Sequence, residues 1–228
     1  MFIVEKKERE TSREYAIRTI RENIVRLELA PGSLVSEKEL ADQLGLSRTP
    51  VREALIDLSK VKIVEIFPQK GIQVALIDYA LVEEARFIRL VLEKGIVETL
   101  CQQGLSASQE AALVENLRLQ EFYVQNPMSN RLFVLDDQFH QLLFQFANRE
   151  LAYNLTKSVN VHFDRVRSMT VNVESKRDES LVHEHWEILE AILQRDCASA
   201  TNYLTQHLDR YQVDACYIRE HFGNFLKP

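Results

Sequence analysis

The stretch that decides the fold is residues 31–74, PGSLVSEKELADQLGLSRTPVREALIDLSKVKIVEIFPQKGIQV. An S-E-K-E pattern beginning at Ser36 predicts a helix with a capping box, and Gly45 is suited to end that helix in the left-handed conformation. A second helix begins after Ser47, where Pro50 falls in the first turn and is tolerated. Two helices joined by so short a turn predict a helix-turn-helix.

A hairpin follows, because short apolar runs at 63–67 and 72–75 flank a turn at 68–71. A further helix from Thr11 to Leu27 comes first, with apolar side chains at helical spacing. Helix, helix-turn-helix and hairpin in this order predict a winged helix-turn-helix domain over residues 1–76.

The second helix of such a pair enters the DNA major groove with its first residues on the base edges. Here Arg48 and Arg52 lie four positions apart, on one face of that helix. An arginine bound to guanine by two hydrogen bonds contributes roughly 1–3 kcal/mol of discrimination. Two arginines alone are more often solvated surface charges. The interpretation of these two as DNA-binding residues therefore depends on the residues around them. The predicted DNA-binding residues are Lys38, Ser47, Arg48, Thr49, Arg52, Lys70 and Gly71.

Residues 77–228 are helical almost throughout and are predicted to form an all-helical bundle, so the fold class is mainly α. The periodicity places six helices there, near 78–103, 107–125, 129–147, 149–171, 177–195 and 197–222.

Composition excludes several classes of protein. With 46% hydrophobic and 27% charged residues the chain can bury a core, and no apolar run is long enough to span a membrane. Its three cysteines are far apart, which favours reduced thiols and a cytoplasmic location. The net charge of −6 falls almost entirely after residue 78, so the first domain is close to neutral and can still present a basic face.

Polar side chains interrupt the apolar stripes of three C-terminal helices. Asp136 and His140 lie four apart on one helix, while His185 and His207 lie on two others. A buried histidine is more often a core residue with a hydrogen-bond partner, and a buried aspartate more often pairs with an arginine. Four such groups facing one interior favour a shared divalent metal ion such as Zn²⁺, Ni²⁺ or Mn²⁺.

The N-terminal third resembles the DNA-binding domain of the GntR family of bacterial regulators. The matching pieces are PGS at 31–33, E-x-x-L-A at 37–41, LGLSRTPVREAL at 44–55 and the wing glycine Gly71. The resemblance implies a homodimer that binds double-stranded operator DNA. Two positions depart from the family pattern, which often has arginine at position 38 and commonly has glycine at position 62. This chain has Lys38 and Lys62 there.

Residues 78–222 resemble the FCD effector domain of the FadR subfamily, and six helices resemble its VanR-type branch. The matching pieces are R-x-x-L-E at 89–93, D-x-x-F-H at 136–140, Glu184-His185 and His207. The resemblance implies a metal ion held by Asp136, His140, His185 and His207, with an organic acid bound beside it. The predicted effector-binding residues are Arg89, Arg86, His162 and Arg165.

We therefore expect a transcriptional repressor whose operator affinity changes when a small carboxylate binds. Two alternatives stay open at this point. The metal ion itself can be the signal, or the chain can be a metallohydrolase whose N-terminal domain only mediates dimerisation.

Overall fold

A computed structural model describes residues 1–69, 71–126, 131–169 and 175–228. The elements of the first part of the chain are α1 (Ser12–Val25), β1 (Leu34–Val35), α2 (Glu37–Leu44), α3 (Arg48–Lys60), β2 (Val64–Phe67) and β3 (Gly71–Val74). The later helices are α4 (Tyr79–Gln103), α5 (Ala107–Gln125), α6 (Arg131–Phe146), α7 (Glu150–Val159), α8 (Val161–Ser168), α9 (Ser175–Leu193), α10 (Cys197–Asp209) and α11 (Tyr211–Phe222). Within the described ranges, no helix is both long and apolar enough to cross a membrane.

Helix α3 packs against α1, α2 and strand β2, and β2 belongs to a three-stranded antiparallel sheet of order β1-β3-β2. The wing pairs Val64 with Val74 and Phe67 with Gly71, as the hairpin prediction requires. Thr11 accepts a hydrogen bond from the amide of Glu14 and so begins α1 with a capping box. The apolar faces of these elements form one buried core, which the hydrophobic effect stabilises. The predicted fold class, mainly α with an N-terminal winged helix-turn-helix, is confirmed.

The turn between α2 and α3 depends on Gly45, which has φ 64° and ψ 32°. A Cβ atom built on Gly45 would meet nothing within 4 Å, so backbone conformation alone favours glycine there. We expect Gly45→Ala to lower the free energy of unfolding by about 1 kcal/mol, measured by urea denaturation followed by circular dichroism. Gly45→Asn is the matched control and should lose less, because asparagine adopts the left-handed region more readily. Equal stability of all three proteins would contradict this explanation of the turn.

Three details differ from the sequence-based expectation. Strand β1 was not predicted, since two residues are too short to show an alternating pattern. Ser47 occupies the N-cap position of α3, yet its side chain makes no capping hydrogen bond. The predicted helices 149–171 and 197–222 are each divided, at Asn160 and at Arg210. Both residues keep right-handed helical dihedral angles, and neither is a proline or a glycine. The sequence therefore has no strong helix-breaking signal at either position.

The chain divides by its contacts into two compact units. The first unit contains Met1–Glu83 together with two later segments, Ser158–Met169 and Cys216–Pro228. The second contains Glu84–Lys157 and Thr170–Ala215. The sequence-based boundary after residue 76 divides the chain into two consecutive ranges, whereas the first unit collects three separate segments.

Each unit has its own apolar core. In the second unit, buried residues of α4, α5, α6, α9 and α10 pack together, with Phe139 and Phe144 among the largest fully buried side chains. In the first unit, Val161 of α8 belongs to the core that α1, α2 and α3 form.

Candidate DNA-reading head and metal centre

The predicted DNA-binding side chains are presented at the surface of the first unit. Lys38, Ser47, Arg48, Thr49 and Arg52 are all exposed, while Val51, Ala54 and Leu55 on the opposite face of α3 are buried. The N-terminus of α3 therefore offers two arginines and two hydroxyls to a partner. Gly71 is exposed at the start of β3 with φ 110°, a conformation that favours glycine. Lys70 lies outside the described residues.

Arg52 and Gly71 line one groove of about 560 Å³, together with residues of β1 and the N-terminus of α2. Within this groove Arg52 Nε donates to Glu37 Oε1 at 3.1 Å. The arginine side chain is 68% exposed, so this ion pair contributes little to stability. The ion pair keeps the guanidinium at the surface. A base or a phosphate can replace Glu37 as its acceptor with little loss of free energy.

Lys62 has φ 59°, in the left-handed region. This conformation explains why a glycine commonly stands at the corresponding position before the wing strand of the family, since glycine adopts it without strain. The lysine side chain here is exposed.

Four side chains of the second unit bring potential metal ligands together. One ligand atom from each of Asp136, His140, His185 and His207 lies within 4.8 Å of all the others. His140 Nε2 and His207 Nε2 are 3.2 Å apart, and His185 Nε2 is 3.6 Å from Asp136 Oδ1. All four residues are buried. The structure thus places the four predicted ligands in one cluster.

Each imidazole also contacts an oxygen atom through its other ring nitrogen. His140 Nδ1 is 2.7 Å from Glu93 Oε2, and His207 Nδ1 is 3.0 Å from Glu184 Oε2. His185 Nδ1 is 2.9 Å from Gln120 Oε1. For His185 and His207 these contacts are hydrogen bonds to acceptor oxygens, which assign the proton to Nδ1 and leave the Nε2 lone pair facing the cluster. The Glu93 carboxylate beside His140 Nδ1 favours the same tautomer by its charge.

This arrangement fits a cation. Three Nε2 lone pairs and the Asp136 carboxylate converge in a buried space, where they repel one another unless a positive charge lies between them. Acceptors on the far side of metal-binding histidines orient the rings and raise their basicity. Three imidazoles and one carboxylate suit Zn²⁺, Ni²⁺ or Mn²⁺, and the absence of thiolate ligands from the cluster disfavours softer ions.

Arg89 belongs to the same buried network. Its Nε donates to Glu93 Oε1, and the other oxygen of Glu93 contacts His140. Burial raises the pKa of the Glu93 carboxyl, but the charge of Arg89 and the contacts with Arg89 and His140 outweigh burial and hold the pKa well below its usual range. Arg86 instead forms an ion pair with Asp209.

The remaining predicted effector-binding residues, His162 and Arg165, belong to the first unit. His162 Nε2 is 2.8 Å from the carbonyl oxygen of Val61, and Arg165 Nη2 donates to the carbonyl of Ala75. Both contacts join α8 to the winged helix-turn-helix formed by α1, α2, α3 and strands β1, β2 and β3, which we call the DNA-reading head.

Glu93, Gln120 and Glu184 were not predicted to be partners of the histidines. Glu93 and Glu184 fall within the quoted motifs, and Gln120 lies on the buried stripe of α5 with Leu113, Asn116 and Leu117. A polar residue on an apolar stripe is the signal that singled out the histidines, so Gln120 was detectable. Its side-chain amide donates to Asn116 Oδ1 at 2.7 Å, which turns its carbonyl toward His185.

Comparison with known proteins agrees with this description. Residues 13–74 match the gntR family of bacterial regulatory proteins, and residues 84–210 match the FCD domain. The chain is 34% identical over 203 residues to the HTH-type transcriptional repressor RspR of Escherichia coli K12, covering 89% of this chain and 88% of RspR. An uncharacterized HTH-type regulator of Streptomyces ambofaciens is 33% identical over 92% of this chain and 88% of its own length.

Among solved structures, Escherichia coli McbR/YncC superposes with a TM-score of 0.79 at 19% identity, over 93% of this chain and all of McbR. A putative GntR regulator from Rhodococcus superposes with a TM-score of 0.71 at 21% identity, over 89% of this chain and 96% of that one. Both show the same fold.

A winged helix-turn-helix joined to a helical domain with a buried histidine cluster defines a DNA-binding transcriptional regulator. The chain belongs to the GntR family, in its FadR-like subfamily with an FCD domain. Members of this family regulate transcription and are not enzymes, so the metallohydrolase alternative is excluded.

Proposed function

We propose that this regulator is a repressor whose operator affinity is controlled by a small carboxylate bound at a divalent metal ion in the FCD domain. The observation that carries the proposal is the set of three imidazoles whose Nδ1 atoms face oxygens of Glu93, Gln120 and Glu184 and whose Nε2 atoms converge. Repression is supported by the likeness to RspR, a named transcriptional repressor.

Asp136, His140, His185 and His207 would hold the ion. When bound, a divalent ion supplies a Lewis-acid site for an oxygen of the effector. Three imidazoles and one carboxylate would be the protein's ligands to such an ion. Arg89 is the cation we assign to the effector site, because Glu93 links it to the ligand His140.

Operator DNA is bound by a homodimer acting in the cytoplasm, in which each head presents Arg48, Thr49 and Arg52 to a half-site. Exposed apolar side chains of the second unit supply a surface that a second copy would cover. Phe87 and Val91 of α4 are 62% and 55% exposed, and Leu151 and Leu155 of α7 are 75% and 58% exposed. Isolated apolar residues are common on surfaces, but pairs at helical spacing are typical of an interface.

The test is a thermal-shift screen of small carboxylates and sugar acids against protein loaded with Zn²⁺, Ni²⁺ or Mn²⁺, and against protein treated with a chelator. A ligand that binds only the folded state stabilises it by about 2.7 kcal/mol at a hundredfold excess over its Kd. We expect one class of acids to raise the melting temperature of the metal-loaded protein only, and to weaken binding to operator DNA.

Two other results would change the proposal. Stabilisation by an acid after chelation would place the effector away from the ion. An operator affinity that responds to the ion alone, with no acid that shifts the melting temperature, would make the ion itself the signal.

A further inference from the structure

Helix α8 lies in the range that matches the FCD domain, yet its contacts group it with the DNA-reading head. It packs on α1, and Val161 at its start is fully buried in the core of the head. Two polar side chains of α8 are buried in the same unit, His162 and Arg165. Neither belongs to the apolar cluster of that core.

His162 reaches the end of the recognition helix. Its Nε2 is 2.8 Å from the carbonyl oxygen of Val61, which is the C-cap residue of α3. Because a carbonyl only accepts, Nε2 carries the proton and donates it. Burial lowers the pKa of His162, which keeps the ring neutral at neutral pH, and the backbone contact only partly opposes this.

Arg165 reaches the end of the wing. Its Nη2 donates to the carbonyl of Ala75, the residue directly after β3. The amide of Ala75 in turn donates to the carbonyl of Ile63 at 3.0 Å, just before β2. One arginine therefore contacts the point at which both wing strands join the body of the head.

Burying the guanidinium of Arg165 carries a large cost in folding free energy. Its side chain is fully buried, and within the described part of the chain its Nε and Nη1 have no hydrogen-bond partner. Burial lowers the pKa of the guanidinium to about 10. A buried cation without an anionic partner destabilises a fold relative to an apolar side chain of similar size. Stability therefore does not explain an arginine at this position.

We propose that His162 and Arg165 are positioning residues for operator recognition. Through Val61 and Ala75 they hold the recognition helix and the wing at a fixed separation, without themselves touching DNA. Base contacts from Arg48 and Arg52 and wing contacts near Gly71 must be made together, so their separation determines specific binding. Non-specific binding depends on phosphate charges and tolerates a looser head.

The experiment uses full-length Arg165→Met and an operator fragment that the wild-type protein selects from random DNA. Affinity is measured for this fragment and for a scrambled duplex of equal length. We expect the ratio of specific to non-specific affinity to fall by at least about tenfold, while non-specific affinity changes by less than about threefold. The melting temperature should stay the same or rise, because the buried charge is gone.

Arg167→Met is the matched control, since it removes the same charge from the same helix. Arg167 Nη1 lies 4.0 Å from Asp164 Oδ1. This variant should leave the ratio of specific to non-specific affinity unchanged. Arg165→Lys, which keeps the charge and a donor, should recover part of the lost specificity. His162→Phe should lower the ratio and His162→Gln should restore it, which keeps the test decisive if Arg165→Met fails to fold.

An unchanged ratio in His162→Phe and in folded Arg165→Met would overturn the proposal. A parallel loss of melting temperature and of both affinities would also overturn it, because the two residues would then be purely structural. So would an equal fall in the ratio for Arg167→Met.

Discussion

A variant carrying His185→Ala and His207→Ala is expected to lose equimolar binding of divalent ions. Two of four clustered ligands are removed, and both face the centre of the cluster. Loss of a single outer partner of a metal ligand already weakens affinity roughly 10–100-fold, so we expect the loss here to exceed about 100-fold. Metal content after dialysis and titration calorimetry with Zn²⁺, Ni²⁺ and Mn²⁺ measure it.

His183→Ala is the matched control for this experiment. His183 lies on α9 as His185 does, but its side chain is 75% exposed and lies near Glu187 on the next turn of the same helix. The His183→Ala protein should bind metal as the wild type does. The double variant His185→Gln and His207→Gln keeps buried polar side chains if the alanine variant unfolds. Equimolar metal in the folded double variants would rule out this site.

Arg52→Ala is expected to remove most sequence-specific operator binding while leaving the fold intact. The side chain is 68% exposed and forms an ion pair with Glu37, so little stability is lost. Each lost bidentate contact with guanine weakens binding by roughly 1–3 kcal/mol, which is about 5- to 150-fold in affinity, and a dimer loses two such contacts. Mobility-shift titration against operator and scrambled DNA measures the change.

Arg13→Ala is the control with an equal change of charge. Arg13 is also an exposed arginine in an ion pair, but its partner Asp57 lies toward the far end of α3 from Arg48. It should lower specific and non-specific affinity by the same small factor. If Arg52→Ala keeps the wild-type ratio of specific to non-specific affinity, Arg52 does not contact the bases.

The reading head could be predicted in detail because its signals are local. The cap at Ser36, the left-handed Gly45 and the spacing of Arg48 and Arg52 each involve residues a few positions apart. Backbone geometry converts such short spacings directly into a turn or a helix face. The break at Asn160 was not predicted, because the chain leaves one helix and begins another within right-handed helical geometry and without a proline or glycine.

The four residues of the buried cluster were predictable for a related reason, since a polar residue on a buried stripe needs a partner wherever the helix lies. What the sequence by itself determined is therefore which polar side chains gather in the buried cluster and which lie exposed at the start of α3. Only the tertiary structure decided which distant groups hold them in place. Gln120 meets His185 across 65 positions, and Val61 meets His162 across 101. Such pairs depend on how whole helices pack, which no local periodicity encodes, and packing alone assigned α8 to the DNA-reading head.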